Sequence, residues 1–226
     1  DAESTVVVLD PNLRVTQVIS GPVTWPSVVA LLEQMLPEDD SVVRAQAPVL
    51  IVPRVVDPPT CAALVDQCRR HSVETGVEKS RDGGRGDVLD AVVKRRRDVT
   101  VADPGQLHAL SALIGKRVMP EVRRAFAFRA TRFEGFKIAW YDESDAGFFA
   151  PHRDNLTAST AHRVFGLSIN LNDEYAGGGL SFPEYGSQRY QAPAGAAMVF
   201  SCDLLHAVHP VSRGARFVLL SFLYTA

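Results

Sequence analysis

Short runs rich in β-branched and aromatic residues fill the second half of the chain and constrain its fold more than any other feature. The first spans residues 132–141, and others follow near residues 148–152, 164–171, 179–182, 188–191, 196–200, 205–209 and 215–224. Glycine and proline turns separate these runs, and helical patterns precede them. Helices first and many short strands afterwards predict an α+β protein with a barrel or sandwich of antiparallel strands.

Two helices are predicted before these strands. Asp57-Pro58-Pro59 and Asp103-Pro104 are strong helix starts, because an aspartate caps free backbone N–H groups and proline is tolerated in the first turn. Apolar residues then recur at helical spacing, to about Val73 in the first helix and to Glu121 or beyond in the second. Residues 74–87, rich in glycine and charge, are predicted to form a loop.

The N-terminal 46 residues form a separate predicted segment. Residues 5–9 and 13–19 predict a hairpin around Asp10-Pro11-Asn12, and a helix is predicted from Thr24 until residues 37–40 end it. This β-β-α segment, residues 1–46, resembles the C-terminal end of a redoxin domain, which contains a similar Leu-Asp-Pro-Asn-Leu-Arg-Val phrase. We interpret it as a redoxin-like remnant or cap on a larger domain formed by residues 47–226.

Charge and apolar content limit the partners. The 226 residues carry a formal net charge of −2, which gives no electrostatic reason to expect nucleic acid or an anionic membrane surface. No run approaches the roughly 18 apolar residues of a membrane span, and no signal peptide is visible, so a cytoplasmic location is expected. The chain begins Asp-Ala-Glu without an initiator methionine, so processing or excision from a longer protein is one interpretation.

Two further sequence features each have a structural and a functional interpretation. Cys61 and Cys68 lie seven residues apart on one helix face, which favours burial in a reducing compartment over a redox or metal pair, since CxxC spacing is absent. Lys94-Arg95-Arg96-Arg97 is flanked by acidic residues. A solvated or salt-bridged stretch is therefore favoured there over a substrate-recognition edge.

A histidine and a carboxylate lie two positions apart in His152-Arg153-Asp154. Side chains on a strand alternate between its faces, so these two groups point to the same side. With a histidine from a distant strand, such as His206, they would form a facial triad. Two histidines and one carboxylate bind one face of an Fe(II) ion and leave the other face open for substrate and O2.

Other motifs accompany this pair in a fixed order. Tyr141 lies eleven residues before His152, residues 172–184 contain Asn-Asp, a glycine turn and Phe-Pro, and residues 193–200 run from Pro-x-Gly to a phenylalanine. Residues 205–217 contain a histidine followed by Pro-Val, glycine and arginine. From about Lys137 onward the chain therefore resembles the prolyl 4-hydroxylase-like branch of the Fe(II)/2-oxoglutarate-dependent dioxygenases. The resemblance implies a double-stranded β-helix (jelly-roll) core with supporting N-terminal helices.

The resemblance also implies a role for each matching residue. His152, Asp154 and His206 would be the iron ligands, and Arg216 would bind the distal carboxylate of 2-oxoglutarate. A guanidinium suits that role because it can hold a carboxylate through two charge-assisted hydrogen bonds. Tyr141 matches a family tyrosine that hydrogen-bonds the same cosubstrate. The implied cofactors are Fe(II), 2-oxoglutarate and O2, with ascorbate as a reductant that the protein would bind.

The third ligand could come from either of two histidines. His206 and His209 lie three apart, so on one strand they face opposite sides and only one can reach the metal. The family places its ligand four residues before Pro-Val and ten before the arginine, a spacing that favours His206. The remaining histidines match no ligand spacing and are predicted to be surface or satisfied core residues: His71, His108 and His162.

Three more residues have implied contacts near the site. Arg163 matches a family position near the substrate mouth, although a surface arginine at a strand start explains it equally well. Asn170 stands where some relatives place a second tyrosine, which leaves that contact open. Asn155 directly follows Asp154 and is expected to orient it through a hydrogen bond.

The implied reaction is hydroxylation of an amino-acid side chain, free or within a peptide or protein, with 2-oxoglutarate converted to succinate and CO2. Halogenating relatives have a small residue at the triad carboxylate, so Asp154 favours hydroxylation. Two alternatives stay open. One is a non-catalytic double-stranded β-helix that binds metal or ligand. The other is a zinc hydrolase, which would lack an obvious general base and leave Arg216 without a role.

Overall fold

The computed structural model describes residues 5–9, 15–35, 46–81 and 84–225. The chain divides into two compact units, Asp1–Arg44 and Ala45–Ala226. The interpretation of residues 1–46 as a redoxin-like cap or remnant stays a prediction, and so does the boundary at residue 47.

The first unit contains a hairpin and one helix. Strands β1 (Thr5–Leu9) and β2 (Val15–Ser20) pair antiparallel, and helix α1 (Trp25–Met35) follows. These three elements confirm the predicted β-β-α order. The predicted turn at residues 10–12 and the predicted helix end at residues 37–40 lie outside the described residues.

The second unit begins with strand β3 (Leu50–Val52) and then contains three helices: α2 (Pro58–His71), α3 (Pro104–Arg117) and α4 (Met119–Phe126). Both predicted caps are confirmed, since Asp57 accepts the Thr60 N–H at 2.8 Å and Asp103 accepts the Gln106 N–H at 2.7 Å. The second predicted helix is two helices, because Pro120 has no N–H to continue the hydrogen-bond ladder. Among the described helices, none is long and apolar enough to cross a membrane.

The strands of the second unit are short. In chain order after β3 they are β4 (Val73–Glu74), β5 (Val77–Arg81), β6 (Gly84–Val88), β7 (Lys94–Arg95), β8 (Arg97–Thr100), β9 (Arg132–Phe133), β10 (Lys137–Asp142), β11 (Phe148–His152), β12 (Phe165–Asn170), β13 (Tyr175–Gly177), β14 (Leu180–Ser181), β15 (Arg189–Tyr190), β16 (Ala197–Ser201), β17 (His206–Val208) and β18 (Val211–Tyr224). Most of those after residue 130 coincide with predicted runs, but the run at residues 132–141 is two strands, β9 and β10, and β13 was not predicted.

Two antiparallel sheets form the body of this unit. The major sheet has the order β3-β16-β12-β18-β10-β8-β4, with β9 and β13 also paired to β18, and the minor sheet has the order β15-β14-β17-β11-β7. Successive residues of β10 and β18 enter different cores. Ile138 and Leu219 pack against the helices, whereas Ala139 and Val218 belong to a second cluster that contains residues of both sheets. This alternation produces a helix-covered outer face and an inner face that lines the space between the sheets.

The predicted loop at residues 74–87 is wrong. Strands β5 and β6 pair antiparallel there, from Val77 opposite Val88 to Arg81 opposite Gly84. A glycine-rich, charged composition is typical of loops. Backbone hydrogen bonds can nevertheless pair two strands that have no apolar face, so the composition did not predict this hairpin.

One glycine joins the start of the second unit to its core and allows a test of the fold. Gly195 has φ +74°, its carbonyl accepts the Val55 and Val56 N–H groups at 2.7 and 3.0 Å, and a Cβ there would overlap the Val56 carbonyl oxygen. We expect Gly195→Ala to lower the free energy of unfolding by about 2–4 kcal/mol in urea denaturation. The control Gly115→Ala, in open space on α3, should raise it by up to about 1 kcal/mol. Equal stability of the two variants would contradict this account.

Candidate active site

Two strands of the minor sheet bring the predicted triad together. His152 on β11 lies directly opposite His206 on β17, and their ring centroids are 4.3 Å apart. Asp154, two residues beyond His152, reaches both rings: its carboxylate oxygens lie 3.5 Å from His152 Nε2 and 3.4 Å from His206 Nε2. Among the described residues, these three form the group of histidine, cysteine and carboxylate side chains close enough to share a metal ion.

The histidine rings are held in the form that binds metals. Nδ1 of His152 lies 2.8 Å from the Ala150 carbonyl oxygen, and Nδ1 of His206 lies 3.0 Å from that of Leu204. A carbonyl can only accept, so each Nδ1 carries the proton and each Nε2 of a neutral ring keeps its lone pair. Two nitrogen donors and one carboxylate facing one point fit a divalent first-row metal such as Fe(II).

The surroundings favour the required charge states. Burial lowers the pKa of His206 and keeps its imidazole neutral at physiological pH. Burial alone would raise the pKa of Asp154, but the neighbouring His152, His206 and Arg163 side chains hold it below its usual range. Phe149 stacks on His152 with the ring centroids 3.6 Å apart, and the Phe200 centroid lies 4.7 Å from that of His206. These apolar rings fix the imidazoles and limit water around them.

Arg216 is the largest fully buried side chain of the protein's described part and lines the same cavity as the triad. One nitrogen, Nη2, donates to Asn170 Oδ1 at 3.1 Å, while the buried Nε has no hydrogen-bond partner. A buried guanidinium with an unused N–H is unfavourable unless an anion completes it. The site therefore fits a carboxylate ligand such as the distal group of 2-oxoglutarate.

Asn170 contacts the cation where some relatives have a tyrosine. Its Oδ1 accepts from Arg216, and its Nδ2 donates to the Tyr175 hydroxyl at 2.8 Å and the Ala192 carbonyl at 2.5 Å. The amide is thus fully used in orienting the guanidinium.

The cavity between the sheets has a volume of about 460 Å³ and holds both ends of the candidate site. Tyr141 on β10 lies directly opposite Arg216 on β18 in the strand register, so both side chains enter the cavity from one face. The guanidinium carbon lies 5.5 Å from the Tyr141 ring centroid. The candidate metal-binding triad and the candidate carboxylate-binding pair therefore share one space.

Arg163 lines this cavity, but its hydrogen-bonding groups are engaged within the protein. It forms a two-point ion pair with Glu134, at 2.7 and 2.9 Å, and donates to the backbone carbonyl of Asp154 at 3.2 Å. Its guanidinium carbon also lies 3.8 Å from the Phe222 ring centroid. These contacts support the backbone of Asp154, and a substrate contact by Arg163 stays a prediction.

The remaining sequence candidates do not join the triad. His209 Nε2 lies 2.8 Å from Ser181 Oγ. Asn155 donates to Asp203 Oδ1 at 2.8 Å, not to the Asp154 side chain that we expected it to orient. His162 pairs with Glu134 at 2.8 Å, while His71 and His108 are exposed.

Sequence reasoning missed the clamp formed by Arg153 and Glu184. Arg153 lies between His152, the last residue of β11, and Asp154, and it donates to both Glu184 oxygens, at 2.6 and 3.2 Å. Glu184 also accepts the N–H of Leu205, the residue before His206, at 2.9 Å. One carboxylate thus ties the two triad-bearing segments together. The position of Glu184 directly after Phe-Pro in the sequence did not predict this contact.

The basic run at residues 94–97 is salt-bridged, as one of the favoured interpretations predicted, but only half of it faces solvent. Lys94 and Arg96 are turned inward and line the cavity, whereas Arg95 and Arg97 face outward. Asp98 is buried on the inner side and pairs with Arg96. Strand alternation splits the cations into two faces, and this period of two could have been read from the sequence.

The three cysteines are buried and free, as burial in a reducing compartment predicts for Cys61 and Cys68. Burial raises the pKa of each of these two thiols to about 11, so both stay protonated and weakly reactive near neutral pH.

Sequence comparison gives matches in the C-terminal part of the chain. Residues 136–224 match a family model described as the 2OG-Fe(II) oxygenase superfamily. A PKHD-type hydroxylase of Verminephrobacter eiseniae is 33% identical over 110 residues, which is 47% of this chain and 44% of that protein. A PKHD-type hydroxylase of a Polaromonas species is 47% identical over 109 residues, 47% of this chain and 46% of that protein. The chain spans less than half the length of these curated relatives.

Structural comparison shows the fold. A prolyl-4-hydroxylase of Pseudomonas putida aligns with a TM-score of 0.56 at 16% identity, over 80% of this chain and 94% of that one. A prolyl hydroxylase of Trichoplax adhaerens, solved with a hypoxia inducible factor peptide fragment, aligns with a TM-score of 0.62 at 13% identity, over 79% and 84%. The predicted α+β fold with a jelly-roll core is therefore confirmed. Residues 136–224 are thus similar in sequence to the 2OG-Fe(II) oxygenase superfamily, and the fold resembles that of the solved prolyl hydroxylases.

Proposed function

We propose that residues 47–226 form an iron- and 2-oxoglutarate-dependent oxygenase that hydroxylates an amino-acid side chain. The observation that carries this proposal is the pairing, in one cavity, of a two-histidine, one-carboxylate cluster with a buried guanidinium that has an unused N–H. A site that only bound metal would leave that guanidinium without a ligand.

His152, Asp154 and His206 would hold Fe(II), and Arg216 with Tyr141 would hold the distal carboxylate of 2-oxoglutarate. When bound, iron, 2-oxoglutarate and O2 supply the oxidising chemistry, and 2-oxoglutarate leaves as succinate and CO2. The chain itself fixes the ligands. Backbone carbonyls set the histidine tautomers, and the aromatic rings of Phe149 and Phe200 exclude water from the histidines.

The primary substrate is proposed to be an amino-acid side chain, free or within a peptide or protein. This is supported by the Trichoplax adhaerens neighbour, a prolyl hydroxylase solved with a peptide fragment. The net charge of −2 does not favour nucleic acid as a substrate. A cytoplasmic location is supported by three buried cysteines that are free thiols.

The test is succinate formation by purified protein supplied with Fe(II), 2-oxoglutarate, O2 and ascorbate. We expect substrate-stimulated succinate release together with a 16 Da mass increase in a responsive amino acid, peptide or lysate protein. Omitting O2 should abolish both signals, whereas omitting ascorbate should shorten the period of activity. If the metal-loaded protein binds 2-oxoglutarate but never releases succinate across this screen, the non-catalytic binding module replaces this proposal.

A further inference from the structure

We propose that Arg96 is a positioning residue that directs the Tyr141 hydroxyl proton towards the carboxylate bound by Arg216. This inference rests on the proposed function, because it concerns the cosubstrate end of the same cavity. It gives a role to the basic run at residues 94–97, which the triad and the arginine of β18 leave unexplained.

Arg96 and Tyr141 are in direct contact. Arg96 Nη1 donates to the Tyr141 hydroxyl oxygen at 3.2 Å, and the guanidinium carbon lies 5.7 Å from the tyrosine ring centroid. An arginine side chain has donors and no acceptor. The phenol therefore accepts from Arg96 and keeps its own hydrogen for another partner.

The Arg96 guanidinium is held in place by Asp98. Asp98, which is 5% exposed, lies 2.6 Å from Arg96 Nε and 2.7 Å from Nη2, a two-point ion pair. The Thr75 hydroxyl donates to the same carboxylate at 2.7 Å. Nη2 donates to Asp98 and Nη1 to Tyr141, while Nε lies beside Asp98 Oδ1 in the ion pair without forming a hydrogen bond. Arg96 is thus placed to act on the phenol, not on the cosubstrate directly.

The hydroxyl hydrogen of Tyr141 remains available for an anion bound by Arg216. Tyr141 is the cross-strand partner of Arg216, and both line the cavity. An anion on Arg216 would therefore have a hydroxyl donor beside it. Because a hydroxyl that accepts a hydrogen bond from a cation is polarised, it is a stronger donor to that anion.

The experiment measures 2-oxoglutarate binding without turnover. Calorimetric titrations into Mn(II)-loaded protein compare the wild type, Arg96→Met, Tyr141→Phe and the double variant. We expect each single substitution to weaken binding about tenfold, and the double variant to bind about as weakly as either single one. If Arg96→Met weakens binding by the same factor with and without the tyrosine hydroxyl, Arg96 acts structurally or by its charge alone, and the proposal is overturned.

Two further variants separate this effect from damage to the fold. Arg96→Met removes the nearer cationic partner of buried Asp98 and leaves Lys94 at 4.0 Å. Arg96→Met combined with Asp98→Asn removes the buried carboxylate as well, and it should reproduce the tenfold loss in a protein that still unfolds cooperatively. Arg95→Met, on the outer side of the run, should bind 2-oxoglutarate like the wild type. A wild-type protein that takes up Mn(II) but not 2-oxoglutarate would overturn the proposed function as well. Normal wild-type binding with unchanged binding by Arg96→Met would overturn only this inference.

Discussion

Substituting alanine for Asp154 is expected to weaken metal binding by roughly 100-fold or more, since losses of that size accompany even outer-shell changes at metal sites. The substitution removes the one anionic donor and leaves two neutral imidazoles, which hold a hard divalent ion poorly. Calorimetry with Co(II) or Mn(II) measures the loss directly. 2-Oxoglutarate-dependent succinate formation should disappear with it.

The matched control is Asp145→Ala, which removes an exposed carboxylate from the 3-10 turn after β10. This variant should bind metal and form succinate like the wild type. If Asp154→Ala keeps wild-type metal affinity while remaining folded, the cluster of His152, Asp154 and His206 is not the metal site.

Arg216→Met is expected to weaken 2-oxoglutarate binding to the Mn(II)-loaded protein by about 100-fold or more, because two charge-assisted hydrogen bonds contribute about 1.5–3 kcal/mol each. Metal affinity should stay unchanged, because the guanidinium is not among the candidate metal ligands. The methionine fills much of the same volume, and removing a buried charge together with its desolvation cost should leave thermal stability intact.

Arg213→Met, an exposed arginine on the same strand, provides the control and should bind 2-oxoglutarate normally. The opposite pattern, with affinity lost in the Arg213 variant and kept in the Arg216 variant, would place the cosubstrate outside the cavity.

The sequence predicted the parts of this protein that depend on local periodicity. The helix starts at Asp57 and Asp103 could be predicted because each aspartate accepts the backbone N–H of the residue three positions later, which is a local contact. The strand period of two predicted that His152 and Asp154 lie on the same side, and they do lie close together, although β11 ends at His152 and Asp154 belongs to the following turn. The grouping with His206 required a resemblance, since nothing local brings β17 beside β11.

The features that were missed depend on partners far away in the chain. The run at residues 94–97 suggested a solvated or salt-bridged stretch. The ion pair of Arg96 with Asp98 confirms the second possibility, but the inward position of Arg96 beside Tyr141 was not predicted. Asn170 gave no sign that it would bind Arg216, 46 residues later, and the clamp of Arg153 on Glu184 spans 31 residues. Composition alone suggested a loop where β5 and β6 form a ladder.

The pairing of Tyr141 with Arg216 has a consequence for how the active protein arises. Both residues lie at matched positions of neighbouring strands, and a slip of β18 by one residue would turn every side chain of that strand to the opposite face. Such a misfolded molecule would keep its hydrogen-bonded strands while its arginine pointed among the helices. Because 2-oxoglutarate would bind only molecules with the correct register of β18, its binding would stabilise those molecules. The fraction of protein that binds 2-oxoglutarate would then measure the fraction that is correctly folded.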